Sequence, residues 1–265
     1  MSASLNGRTA LVTGASAGIG EAFARLLAAR GANLLLVARR EDRLRHLGNE
    51  LEQAFGIRAE ICAVDLSRSD AVATIVAATE RMRLDIDILV NNAGFAASKS
   101  FLGSDWSELH AEMQVMMGTV TGLMHSLAPA MKARGYGRII NLASLAAFAP
   151  TAPSMLYTGI KSFVLNVSEA VDMELKPHGV YVTALCPGFT WSEFHDVQGT
   201  RELTNRLPAF MWHDAETVAR AGFDAVMAGQ PVCVPGAVNK TLAYTSRLFP
   251  ERIRYMMGRA GKMVE

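Results

Sequence analysis

The chain has 265 residues, 26 Lys+Arg against 25 Asp+Glu, and a net charge of +1. Half its residues are apolar and 19% are charged, which excludes a mainly disordered chain. The balanced charge offers no field for nucleic acid, and no apolar run approaches the roughly 18 residues of a membrane span.

Strands and helices alternate along the chain. Thr9 to Thr13 is a short apolar run closed by Gly14. Ile19, Ala22, Phe23, Leu26 and Leu27 then fall at helical spacing, and Gly31 ends that helix. Asn33 to Ala38 is a continuous apolar strand, as in a parallel sheet covered on both faces. A charged helix over 41–55, a strand over 57–64, a helix over 69–82 and a strand over 86–91 follow. Asp105 opens a long helix, and Glu108 completes a capping box. Met113, Met117, Val120, Leu123, Leu127 and Met131 form its apolar face, and Gly135 stops it. A strand over 138–142, a helix from 154 to 176 stopped by Pro177, a strand over 180–185, a helix over 215–228 and a strand over 231–234 complete the pattern.

The expected fold is α/β: one domain over 1–235, a doubly wound parallel sheet of about seven strands with helices on both faces. Residues 189–213, rich in Phe and Trp, read as a lid over a substrate. Residues 236–265 carry six Lys/Arg against two acidic residues. This basic amphipathic extension reads as docking on the domain or on a second subunit, with peripheral contact to a membrane surface as the alternative. Cys62, Cys186 and Cys233 are too few and too widely spaced for a disulfide framework or a metal site. With no long apolar run near the start of the chain, a reduced cytoplasmic protein is expected.

Gly14, Ser16, Gly18, Ile19 and Gly20 lie between the first strand and the first helix. Glycines there let the backbone approach a pyrophosphate, and the helix N-terminus supplies free N–H groups. The second strand ends at Arg39 and Arg40, where a carboxylate would otherwise bind a ribose 2′-hydroxyl. A guanidinium instead suits a 2′-phosphate, so NADP(H) is the expected cofactor, with Arg39 the better placed and Arg40 the bystander. Tyr157 and Lys161 are four apart on one helix face. A neighbouring ammonium favours a phenolate and so makes tyrosine a usable acid–base group. Ser144 follows the fifth strand at the carboxyl edge of the sheet, where ligands bind.

Six elements stand in one order: Thr13-Gly14 to Gly20, Asp65-Leu66, Asn91-Asn92-Ala93-Gly94, Ser144, Tyr157 with Lys161, and Pro187-Gly188. Together they resemble the short-chain dehydrogenase/reductase family over about residues 8–235. The resemblance implies a Rossmann-like fold and nicotinamide-dependent redox chemistry on an alcohol or carbonyl. It implies that Asp65 and Leu66 hold the adenine, and that Asn91, Ala93 and Gly94 line the ribose. It gives Tyr157 the proton transfer, Lys161 the nicotinamide ribose and a lowering of the Tyr157 pKa, and Ser144 the substrate oxygen. Pro187, Gly188 and Ser192 would meet the nicotinamide.

Two departures stand out. The family's helical Asn, which supports a proton-relay water, falls on Met116. The usual C-terminal turn of the tetrameric reductases is replaced by Val234-Pro235-Gly236 and the tail, which favours a homodimer over a tetramer. Phe95, Leu145, Met155, Phe189, Trp191 and Phe194 read as an apolar pocket wall, so the expected substrate is a small hydrophobic or aromatic ketone or alcohol. A 3-oxoacyl-thioester reductase and a non-catalytic NADP(H)-binding scaffold are the alternatives.

Overall fold

The computed structural model describes residues 4–95, 101–148, 155–191 and 212–250, and also 252, 253, 255 and 256. Seven parallel strands form the central sheet: β1 (Thr9–Thr13), β2 (Asn33–Ala38), β3 (Ala59–Ala63), β4 (Ile86–Asn91), β5 (Gly137–Leu142), β6 (Val180–Leu185) and β9 (Val232–Cys233). Their spatial order is β3-β2-β1-β4-β5-β6-β9. Between β1 and β4 the order reverses direction, and an open α/β sheet binds its ligand at the carboxyl ends beside such a point. A separate short pair, β7 (Phe189–Thr190) and β8 (Trp212–His213), lies at the two ends of the expected lid.

Side-chain alternation explains the continuous apolar strands. Leu34 and Leu36 of β2 enter one core, with Phe23 and Leu27 of α1 (Gly18–Ala28), Leu44 and Leu51 of α2 (Glu41–Phe55) and Val218 and Phe223 of α7 (Ala215–Met227). Leu35 and Val37 enter the opposite core, with Ile75 of α3 (Ala71–Arg81), Leu123 and Met131 of α5 (Thr119–Ala133) and Ile160 of α6 (Met155–Leu175). A strand with helices on both faces has no side left for polar residues.

The long helix expected from Asp105 is real but interrupted. It runs as α4 (Trp106–Met113), a π turn over Gln114–Gly118, and then α5. Glu108 Oε2 accepts the Asp105 N–H at 3.4 Å, as the capping pattern requires. The strands expected at 57–64 and 231–234 are shorter, at Ala59–Ala63 and Val232–Cys233. The first part of the extension is α8 (Ala237–Leu248), and it docks on the domain. Ala243 is fully buried in a third core with Phe148, Val164, Leu165 and Cys186, and Ser246 Oγ donates to the Phe148 carbonyl at 3.3 Å. Among the described residues, no helix is long and apolar enough to cross a membrane, and no group of His, Cys, Asp or Glu could hold a metal.

Candidate active site

The loop after β1 and the segment after β4 are strapped together at the reversal point. Thr13 Oγ1 accepts the N–H groups of Asn92 (2.9 Å) and Ala93 (3.1 Å), while Asn92 Nδ2 donates to the carbonyls of Thr13 (3.0 Å) and Gly14 (3.3 Å). This close approach requires the glycines. A Cβ on Gly20 would sit 2.3 Å from the Gly14 oxygen and 2.4 Å from Asn92 Nδ2. Gly14 and Gly18 hold φ of 65° and 56°, in the left-handed region that favours glycine. No side chain caps the N-terminus of α1. A backbone kept free of side chains, leading into an uncapped helix N-terminus, fits a dinucleotide pyrophosphate.

The arginine pair is arranged differently from expectation. Arg40, expected as the bystander, reaches back to the glycine loop: its Nη2 donates to Ser16 Oγ at 3.0 Å and its Nε to the same oxygen at 3.2 Å. Arg39 is exposed and acts electrostatically on Asp65 across the neighbouring strand end. The Asp65 carboxyl is held below its ordinary range, first by the Ser67 N–H, with Arg39 contributing less. Leu66 is buried, and its carbonyl accepts the Thr119 hydroxyl at 3.2 Å. The Arg40 guanidinium therefore stands at the glycine loop, while Arg39 acts on Asp65. Asn91 keeps its side chain inside the sheet. It is buried in an amide ladder, donating to Asn141 Oδ1 at 2.8 Å, and Asn141 donates to Ser168 Oγ at 2.9 Å. Asn92, given no role of its own in the sequence reading, is the residue at the loop.

The second half of the site lies at the ends of β5 and β6. The Ser144 hydroxyl bonds the Tyr157 hydroxyl, and Ser144 Oγ also accepts the Ala146 N–H at 3.1 Å. Lys161 is 3% exposed, and its Nζ donates to the Leu142 carbonyl at 2.7 Å. That Nζ lies 5.4 Å from the centre of the Tyr157 ring. Burial pushes the Tyr157 hydroxyl up to about 12, with the Ser144 bond opposing it. Burial also brings the Lys161 ammonium down to about 8. The expected lowering of the Tyr157 pKa by Lys161 is thus absent. Lys161 directs its ammonium at a backbone carbonyl, and burial dominates both groups.

Gly94 confirms the corner they share. A Cβ there would meet Met116 Sδ at 2.9 Å and Lys161 Nζ at 3.7 Å. Met116 is 1% exposed, so a thioether stands in the wall beside the lysine. Leu145 N donates to the Pro187 carbonyl at 2.8 Å, tying the Ser144 turn to the segment after β6. Gly188 lies against Asn239 of α8, whose Nδ2 would be 2.6 Å from an added Cβ. Phe95, Met113, Met117 and Tyr157 each pack, partly buried, on the second core, and Leu145 packs on the third. Phe189 and Trp191 turn onto Trp212: the two indoles stack at 4.1 Å and 20°, so these aromatics pin the ends of the 189–213 segment together. Ser192 and Phe194 lie outside the described residues, as does the side chain of Met155.

Fold and site define a dinucleotide-binding α/β protein with a Ser–Tyr–Lys cluster at the carboxyl edge of the sheet. A family model described as short chain dehydrogenase matches residues 8–202, and the chain belongs to that family of oxidoreductases. It is 32% identical over 253 residues to a gluconate 5-dehydrogenase of Gluconobacter oxydans (strain 621H), covering 90% of this chain and 97% of that one. Among solved structures it is similar to a short-chain dehydrogenase from Sphingobium yanoikuyae in complex with NADPH. That match has 31% identity and a TM-score of 0.81, over 91% of this chain and 94% of the other. A bulky-bulky ketone specific alcohol dehydrogenase from Comamonas testosteroni matches at 30% identity and TM-score 0.78, over 92% and 93%.

Proposed function

We propose that this chain transfers a hydride between NADP(H) and a carbonyl or secondary alcohol on a hydrophobic substrate, with Tyr157 as general acid and base. The observation that carries the reading is the Ser144–Tyr157 hydroxyl bond, with Lys161 beside it and the glycine loop across the sheet edge. Bound dinucleotide supplies the hydride in reduction and accepts it in oxidation. In reduction, the Tyr157 O–H gives its proton to the carbonyl oxygen, and Ser144 holds that oxygen by hydrogen bonding. Lys161, its ammonium held on the Leu142 carbonyl 5.4 Å from the Tyr157 ring, is placed to hold the nicotinamide ribose. In oxidation the same groups take the alcohol proton.

Arg40 and Ser16 at the glycine loop, with Arg39 one residue before, support the 2′-phosphorylated cofactor, and the NADPH complex of a 31%-identical relative agrees with it. Phe95, Met113 and Met117, partly buried on the same core as Tyr157, support an apolar substrate. This favours a ketone or alcohol over a charged sugar acid.

The test is Tyr157→Phe, assayed with a panel of aromatic and aliphatic ketones and with NADPH binding followed by nicotinamide fluorescence. Turnover should fall at least a hundredfold while NADPH binding stays within a few fold. Turnover retained in the variant would remove Tyr157 from the chemistry. Tight NADPH binding by the wild type with no turnover on any ketone or 3-oxoacyl thioester would favour a non-catalytic role.

A further inference from the structure

The helix that carries Met116 buries a carboxyl. Glu112 is 1% exposed, and with Leu109 it forms the buried side of α4. It stands four residues before Met116, immediately ahead of the π turn, and that turn packs against α6. Residues four apart share a helix face, and Met116 marks where this face points: at Gly94, within reach of Lys161. A buried carboxyl either takes up a proton or keeps its charge beside a cation.

We propose that Glu112 is a positioning residue of this site, whose carboxylate holds Lys161 as an ammonium beside Tyr157 where Met116 offers no hydrogen-bonding group. The inference rests on Tyr157 being the acid–base residue.

Electrostatics agree with the geometry. The Glu112 carboxylate acts on both members of the pair, opposing the fall of Lys161 and adding to the rise of Tyr157. Among the described residues, the other groups acting on the pair are the Ser144 hydroxyl, the Leu142 carbonyl and the Cys186 thiol. Burial pushes Cys186 up to about 12, so it is neutral at ordinary pH. Glu112 is therefore the anion that offsets the burial of Lys161. Without it, both Lys161 and Tyr157 lose their protons at lower pH, and carbonyl reduction needs both protonated.

The experiment is the pH profile of ketone reduction in wild type, Glu112→Gln, Glu112→Met and Glu112→Asp. Gln keeps the size, and Met matches the volume in an apolar wall should Gln fail to fold. Loss of the charge should move the alkaline limb about one pH unit towards acid. Asp, one carbon shorter, should move it the same way by less. Spectrophotometric titration of the cofactor-free protein, with the Tyr157→Phe signal subtracted, should show Tyr157 ionising earlier in the uncharged variants. A purely structural role would lower stability and kcat at every pH and leave the limb in place. An unmoved limb and an unmoved Tyr157 titration in the folded variants overturn the proposal. Turnover surviving Tyr157→Phe would instead overturn the functional reading on which it rests.

Discussion

Gly20→Ala tests the site at its tightest contact. The new methyl would lie 2.3 Å from the Gly14 oxygen, 2.4 Å from Asn92 Nδ2 and 2.8 Å from the Gly14 carbonyl carbon, where ordinary contact begins at 3.4 Å. The worst overlap exceeds 1 Å, and two of the three atoms are backbone that cannot rotate away. Relief requires the glycine loop to separate from α1 or the Asn92 strap to break. Overpacking of this kind costs about 1–3 kcal/mol, and each kcal/mol lowers Tm by roughly 2–4 °C in a domain of this size. The same displacement removes the backbone from the pyrophosphate, so NADPH affinity should fall at least tenfold. Thermal unfolding and NADPH fluorescence titration measure the two effects. Gly159→Ala is the control, because nothing lies within 4 Å of its added Cβ. In a helix that change stabilises by about 1 kcal/mol. A Gly20→Ala protein that melts within 1 °C of wild type and binds NADPH equally well would refute the close-approach argument.

Arg40→Ala should weaken NADPH about 10–100-fold and leave NADH nearly unchanged, since a hydrogen bond to a charged group is worth about 1.5–3 kcal/mol. Equal losses for both cofactors would place Arg40 in loop support alone. Ala243→Asp would put a carboxylate into the fully buried docking face of α8, so stability should fall by about 3 kcal/mol or more in urea unfolding. A neutral result would mean that α8 is dispensable to the domain. Alkaline stability follows from burial. Folded Cys186, Cys233 and Tyr157 are raised to about 12, 11 and 12. The unfolded chain loses these protons first, so stability falls as pH rises from about 9 to 12. Lys161, lowered from 10.5 to about 8, acts oppositely between those values. The urea midpoint should therefore drop above pH 9, and less steeply in Cys186→Ala. A flat midpoint to pH 11 would contradict the burial of the thiols.

By itself the sequence determined the alternation of elements, the two-sided burial of the strands and the position of the glycine loop. These follow from short-range periodicity and from glycines that have no substitute. Tyr157 and Lys161 were legible for the same reason: residues four apart on a helix share a face whatever it packs against. Even the register of Met116 was readable by counting along one helix.

Only the tertiary structure decided which side chains meet across elements. Arg40 rather than Arg39 reaches Ser16, because Arg40 stands past the end of β2, at the N-terminus of α2, where its guanidinium reaches back to the loop. Asn91 and Asn92 are chemically identical neighbours, yet strand alternation buries one in a ladder between strands and leaves the other to clamp Thr13 and Gly14. Glu112 carried one signal in the sequence, a carboxylate on the buried side of an amphipathic helix, but its partners come from an element more than forty residues away. The sign of the Tyr157 shift was likewise beyond the sequence. A neighbouring ammonium lowers a phenol pKa and burial raises it, and only packing sets how far the lysine turns away and how completely water is excluded.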